Sequence, residues 1–139
     1  MGRTPQPMAD KPRILLIEDE PSLLKTVAKR LEMNGYAVSV ARDGVEGLQR
    51  VRRDKPDLVV LDVMMPKLNG FEVCRMLKFD KTLKHIPVIL FTALTQDNDE
   101  RVGLACGADA YVRKPFKPQE LLDQISALLK RPWPAGGKV

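Results

Sequence analysis

Pro56-Asp57-Leu58-Val59-Val60-Leu61-Asp62 is the stretch that decides the fold. Four apolar residues in a row, two of them β-branched, are too few for a packed helix. They suit a strand covered on both faces, as in parallel sheets. A carboxylate is costly inside such a strand, so Asp62 marks the point where the chain leaves the core. Three further runs end in the same way. Ile14-Leu15-Leu16-Ile17 leads to Glu18 and Asp19, Val88-Ile89-Leu90-Phe91 to Thr92, and Ala110-Tyr111-Val112 to Lys114. If the runs are neighbouring parallel strands, these side chains emerge at one sheet edge, where open α/β sheets bind ligands.

Working outward, apolar runs alternate with helical periodicity in a βαβ series. The pattern predicts strands near 13–17, 36–41, 57–61, 86–91 and 109–112, with helices near 21–33, 44–53, 69–78, 98–106 and 119–130. Pro21 suits the first turn of its helix, Asn34-Gly35 stops it, and Asp43 and Asn69 are N-cap candidates. Residues 1–12 and 132–139 fall outside the series, and their Pro/Gly content predicts a flexible N-terminal tail and a flexible C-terminal tail or linker stub around one domain at 13–131.

Composition narrows the function. A chain of 139 residues accommodates one domain with a real core. Cys74 and Cys106 form no CxxC or Cys/His pattern, which argues against a zinc site or a disulfide framework and for a reducing compartment. No apolar run approaches ~18 residues and the polar start lacks a signal-peptide core, so a cytoplasmic protein without membrane contact is expected. The net charge is +5, but Arg3, Lys11, Lys130, Arg131 and Lys138 against Asp10 account for +4 of it. Residues 13–129 then carry +1, from 18 basic and 17 acidic side chains. With aromatics at 5%, that body lacks the basic stripe and stacking platform of a nucleic-acid binder. Arg50, Arg52, Arg53 and Lys55 read as a solvated helix end.

Gathering Glu18, Asp19 and Asp62 is costly, since two like charges ~4 Å apart repel by about 4 kcal/mol at an effective dielectric near 20. A bound Mg²⁺, Lys114, or a proton taken up by one carboxyl group would compensate. Three carboxylates without histidine or thiolate suit that hard ion, which prefers oxygen donors in octahedral geometry. Asp62 then has the chemistry of a nucleophile toward phosphorus, with Thr92 and Lys114 as the right types to hold phosphoryl oxygens. The chain's one histidine, His85, precedes its strand and lies about 16 Å from the Thr92 end, so the phosphoryl donor must be external.

These residues are also where the chain resembles the CheY-like receiver domains of two-component response regulators. The matching segments are ILLIEDE (14–20), PDLVVLDVMMPKLNGFEVCRMLK (56–78), IPVILFTA (86–93) and GADAYVRKPF (107–116). The resemblance implies an α/β, flavodoxin-like, doubly wound five-stranded parallel sheet of order 2-1-3-4-5 with five helices in a single domain. It makes Glu18 and Asp19 the acidic metal pair and Asp62 the phosphoacceptor, with the Met64 backbone carbonyl as a further ligand of Mg²⁺. Thr92, Ala93, Lys114 and Tyr111 become the phosphate-binding and switch residues, and Pro115 a cis-proline. The family more often has Asp where this chain has Glu18.

The implied partners are a histidine kinase or histidine phosphotransfer protein and a downstream protein effector. The resemblance places the switch on the face of the fourth helix, fifth strand and fifth helix (98–106, 109–112, 119–130), through which the chain would be a monomer or weak homodimer. It implies no nucleic acid through this domain, no membrane, and no catalysis beyond the domain's own Mg²⁺-dependent phosphorylation and dephosphorylation. Rival readings are a Mg²⁺-dependent aspartyl phosphatase, which lacks its second acid because Met64 stands there, and a flavodoxin-like cofactor carrier, which lacks a phosphate loop after the first strand. A phosphorylation-independent interaction module, or the receiver part of a longer regulator with a DNA-binding or enzymatic output domain, remain as alternatives.

Overall fold

Five apolar runs pair side by side in the computed structural model, which describes residues 11–92, 105–114 and 117–130. The strands are β1 (Arg13–Ile17), β2 (Ala37–Ala41), β3 (Leu58–Asp62), β4 (Val88–Thr92) and β5 (Ala110–Arg113). All are parallel, in the order β2-β1-β3-β4-β5. The helices are α1 (Pro21–Met33), α2 (Gly44–Asp54), α3 (Gly70–Lys78) and α4 (Pro118–Lys130), numbered here over the described residues. Of the helix expected near 98–106, residues 98–104 lie outside the described residues.

Alternation along the strands splits the core into two layers. Ile14, Leu16, Leu58, Val60, Ile89 and Phe91 face α1 and α4, where they meet Leu24, Leu31 and Ile125. Leu15, Ile17, Val59, Leu61 and Leu90 face α2 and α3, where they meet Leu48, Val51, Val73 and Leu77. Both sheet faces are thus covered, as the unbroken apolar runs require.

Local rules set the helix starts. Asp43 accepts from the Glu46 N–H, and Asn69 with Glu72 forms a capping box. The α1 cap is Glu20, whose carboxylate accepts from the Leu23 N–H at 2.7 Å while Pro21 occupies the first turn. Strand limits differ from the expected ones by one or two residues. Asp62 and Thr92 are the last residues of β3 and β4, because pairing continues to Asp62↔Phe91 and the Val63 N–H reaches the Phe91 carbonyl at 3.4 Å. At its other end β4 begins at Val88, since Pro87 has no N–H and offers only its carbonyl, which accepts from Val59 at 2.9 Å.

Candidate functional site

Glu18, Asp62 and Lys114 continue the even-numbered side of their strands, the side carrying Ile14 and Leu16, Leu58 and Val60, and Val112. All three therefore emerge above the same layer and at the same edge. The register Ile17↔Leu61, extended by one residue, sets Glu18 opposite Asp62. Glu18, Asp19 and Asp62 each offer a carboxylate oxygen, and the three oxygens lie within 4.8 Å of one another. Glu18 and Asp62 are buried at 1% and 3% exposure, while Asp19 is open to solvent.

Lys114 reaches this group across β4. Its Nζ sits 4.7 Å from the centre of the Phe91 ring, 3.3 Å from Glu18 Oε1 and 3.5 Å from Asp62 Oδ2. A ring face attracts an ammonium, so Phe91 serves as the shelf over which the long side chain lies. Two main-chain donors complete the frame: the Glu20 N–H to Glu18 Oε2 at 2.9 Å, and the Met64 N–H to Asp62 Oδ1 at 3.2 Å.

Desolvation governs the protonation of the pair. Burial pushes the Glu18 carboxyl up to about 7, with the Asp62 charge adding to the rise and the Glu20 N–H and Lys114 opposing it. Asp62 is also raised by burial, and Lys114 is the largest influence in the other direction. Burial therefore favours a proton on Glu18 over a second buried charge beside Asp62. Of the three ways to relieve the crowded acids, the lysine contact is visible in the geometry.

The donor set also fits Mg²⁺. Glu18, Asp19 and Asp62 would hold the ion, which takes one or two carboxylates and keeps waters in its remaining positions. All the oxygens come from carboxylates, and among the described residues no imidazole or thiolate joins the group.

The other expected residues are placed as follows. Thr92 ends β4, across from Arg113 in register. Tyr111 lies in β5, partly buried against the α2/α3 layer. Met64 is 58% exposed at the mouth of the site. Ala93 and Pro115 lie outside the described residues. His85 is exposed before β4, at the opposite end of the sheet. Reading the sequence missed Phe91 as a support and Glu20 as both cap and donor. Pro21 signalled that position 20 is a cap, whereas the role of Phe91 depends on the β3-β4-β5 order.

The family model for the response regulator receiver domain matches residues 14–126. The chain belongs to that family. Receiver domains are signalling domains of two-component systems. Over 122 residues this one is 46% identical to the response regulator MprA of Mycobacterium leprae, covering 88% of the chain and 53% of MprA. It is 45% identical over 120 residues to the DNA-binding dual master transcriptional regulator RpaA of a Synechocystis strain, covering 86% of the chain and 50% of RpaA. The chain thus spans about half the length of the curated relatives it matches. Among solved structures it resembles the BeF₃-activated N-terminal receiver domain of Klebsiella pneumoniae RstA, with TM-score 0.80 and 31% identity over 86% of this chain and 99% of that one. Among the described residues no helix is long and apolar enough to cross a membrane.

Proposed function

We propose that Asp62 accepts a phosphoryl group from an external phosphohistidine, on a histidine kinase or phosphotransfer protein, and that residues 13–131 form the receiver domain that does so, flanked by tails at 1–12 and 132–139. The observation that carries this reading is the approach of three carboxylate oxygens within 4.8 Å of one another, with the Lys114 ammonium 3.5 Å from Asp62. An Asp62 oxygen attacks phosphorus, the P–N bond breaks with its electron pair passing to the ring nitrogen, and the imidazole leaves neutral because its other nitrogen already carries a proton. Glu18, Asp19, Asp62 and the Met64 carbonyl are the proposed holders of Mg²⁺. When bound, that ion supplies positive charge to the transferring phosphoryl oxygens.

Lys114, steadied on Phe91, neutralises one phosphoryl oxygen while Thr92 and Ala93 serve the others. The new dianion favours the conformer that brings the Thr92 hydroxyl inward, and Tyr111 follows. The readout is a protein surface built on residues 98–106, β5 and α4. The domain turns over no other substrate, and the reading places it in the cytoplasm. Coverage of about half of MprA and RpaA favours a second reading of the output, in which the same switch governs a DNA-binding segment of a longer regulator.

Intact mass after acetyl phosphate treatment tests the proposal. One phosphoryl adduct is expected with Mg²⁺ and none without it or in Asp62→Asn. Adduct formation in Asp62→Asn, or none in the native chain, overturns the assignment.

A further inference from the structure

Opposite the carboxylate edge, where the strands begin and the helices end, the charges are unevenly matched. Each of the four aspartates there has a partner inside the molecule, while Glu32 near the end of α1 is exposed with no ion pair within 4.0 Å among the described residues. Asp54 pairs with Arg53 at 2.9 Å, Asp57 accepts from the Arg13 N–H at 2.7 Å, Asp80 accepts from the Thr82 N–H at 2.8 Å, and Asp109 pairs with Lys78 at 2.7 Å. Lys11, Arg52, Lys55, Lys81 and Lys84 have no ion pair within 4.0 Å among the described residues, and all five are exposed. The helix macrodipole accounts for Arg52 in the last turn of α2. It accounts likewise for Lys55 at the C-cap of that helix, and leaves Lys11, Lys81 and Lys84, which stand in loops, without such a reason.

The same edge carries the two most exposed large apolar side chains among the described residues, Phe79 at 77% just past α3 and Met33 at 72% at the end of α1. Phe79 opens a loop held in one shape. Leu83 plugs it into the core at 2% exposure, Asp80 closes its turn on Thr82, and the Lys78 ammonium beneath bonds the carbonyls of Lys84 and Ile86 at 3.1 and 2.7 Å. The rigid loop thus presents Phe79, Lys81 and Lys84 together, with little ordering left to do on binding.

We propose that this edge is a docking face for an anionic lipid surface. Cations that lack internal partners, alongside exposed apolar side chains, match a headgroup layer that is negative at its surface and apolar just beneath. A single-stranded nucleic acid needs a run of open stacking rings, whereas among the described residues this edge offers Phe79 and His85 exposed, with Tyr36 packed against the α1/α4 layer; a duplex backbone makes no use of Phe79. The exposed Asp19 carboxylate at the far edge is turned away by the surface that draws in the lysines. Docking leaves the carboxylate edge about one strand length, roughly 16 Å, out in solution and open to a partner. The inference does not depend on phosphoryl transfer.

The test is co-sedimentation of the full chain with vesicles of phosphatidylcholine, with and without phosphatidylserine, across a salt series. Binding is expected only with phosphatidylserine and is expected to fall as salt rises. The double variant Lys81→Glu/Lys84→Glu lowers partitioning by about tenfold or more, and Phe79→Ser lowers it several-fold. Both variants alter exposed positions, and an unchanged thermal melt verifies the fold. Lys81→Gln, expected to lose about fivefold, is the milder check. Absence of phosphatidylserine-dependent binding overturns the proposal. Binding unaffected by the double variant moves attachment to residues 1–10 or 131–139 and overturns it too. Equal retention on a duplex oligonucleotide, insensitive to Phe79→Ser, makes the edge a nucleic-acid face instead.

Discussion

Lys114 and Asp62 meet at 3.5 Å although a whole strand separates theirs, and the Phe91 ring on that strand carries the ammonium across. Replacing Phe91 by Leu keeps an apolar filler but removes the ring face. Loss of the cation–π contact costs about 0.5–1 kcal/mol and loosens Lys114. Phosphorylation by acetyl phosphate is expected to slow while the acceptor stays intact, which single-turnover mass spectrometry would show. An unchanged rate assigns Phe91 to packing alone.

Glu18 gives the metal-free domain a pH dependence of definite sign. Its folded value, about 7, lies above the ordinary 4.5, so the folded state holds the proton more tightly than the unfolded one. The resulting stability is complete below about pH 4.5 and is lost as pH rises through 7, with an upper bound of about 3 kcal/mol. Urea melts without metal should show a lower midpoint at pH 8 than at pH 5, and Glu18→Gln should flatten the difference. A midpoint independent of pH in the native chain contradicts this.

Gly70 leaves no room for a side chain, since a Cβ would stand 2.4 Å from the Asp62 carbonyl and 2.7 Å from Val63 Cα. Gly70→Ala is expected to destabilise by about 1–3 kcal/mol and to displace the end of β3. Chemical denaturation gives the first quantity, and the yield of phosphorylated Asp62 reports the second.

Lys55 closes α2 with φ 46°, a left-handed conformation that glycine adopts without Cβ strain. Lys55→Gly is expected to raise stability by about 0.5–1 kcal/mol. A lower denaturation midpoint means the lysine side chain contributes contacts that outweigh the strain.

Met64 is apolar and exposed beside the acceptor, and it is expected to obstruct an attacking water. Met64→Asn should shorten the phosphorylated lifetime several-fold, measured by loss of the mass adduct over time. Equal lifetimes remove Met64 from that role.

Cys74 is fully buried and its thiol is pushed up to about 12, chiefly by desolvation. At pH 8 neither it nor buried Cys106 should react with iodoacetamide until the chain is unfolded. Rapid labelling of the native protein would reveal an opening motion between α3 and Cys106.

Much of this architecture could be read from residue order, because the informative residues obey short-range rules. Four unbroken apolar runs required cover on both faces, and each ended in a polar group, which was enough to bring Glu18, Asp62 and Lys114 to one edge. Asp43 and Asn69 cap the helices they were expected to cap. What escaped depends on lateral neighbours. The shelf under Lys114 needs β4 between β3 and β5, and the extension of β3 through Asp62 needs the Val63–Phe91 bond. The near-neutral body hid its polarity because whole-domain charge says nothing about which end each charge occupies.

The shared parity of Glu18, Asp62 and Lys114 limits how such a chain can drift by insertion or deletion. Adding or losing one residue within β1, β3 or β5 would turn the terminal polar group toward the α2/α3 layer and break the constellation, while a two-residue change would keep the facing but alter the reach. The connecting loops face no such arithmetic, so length variation among descendants of this sequence should collect there and skip the strands.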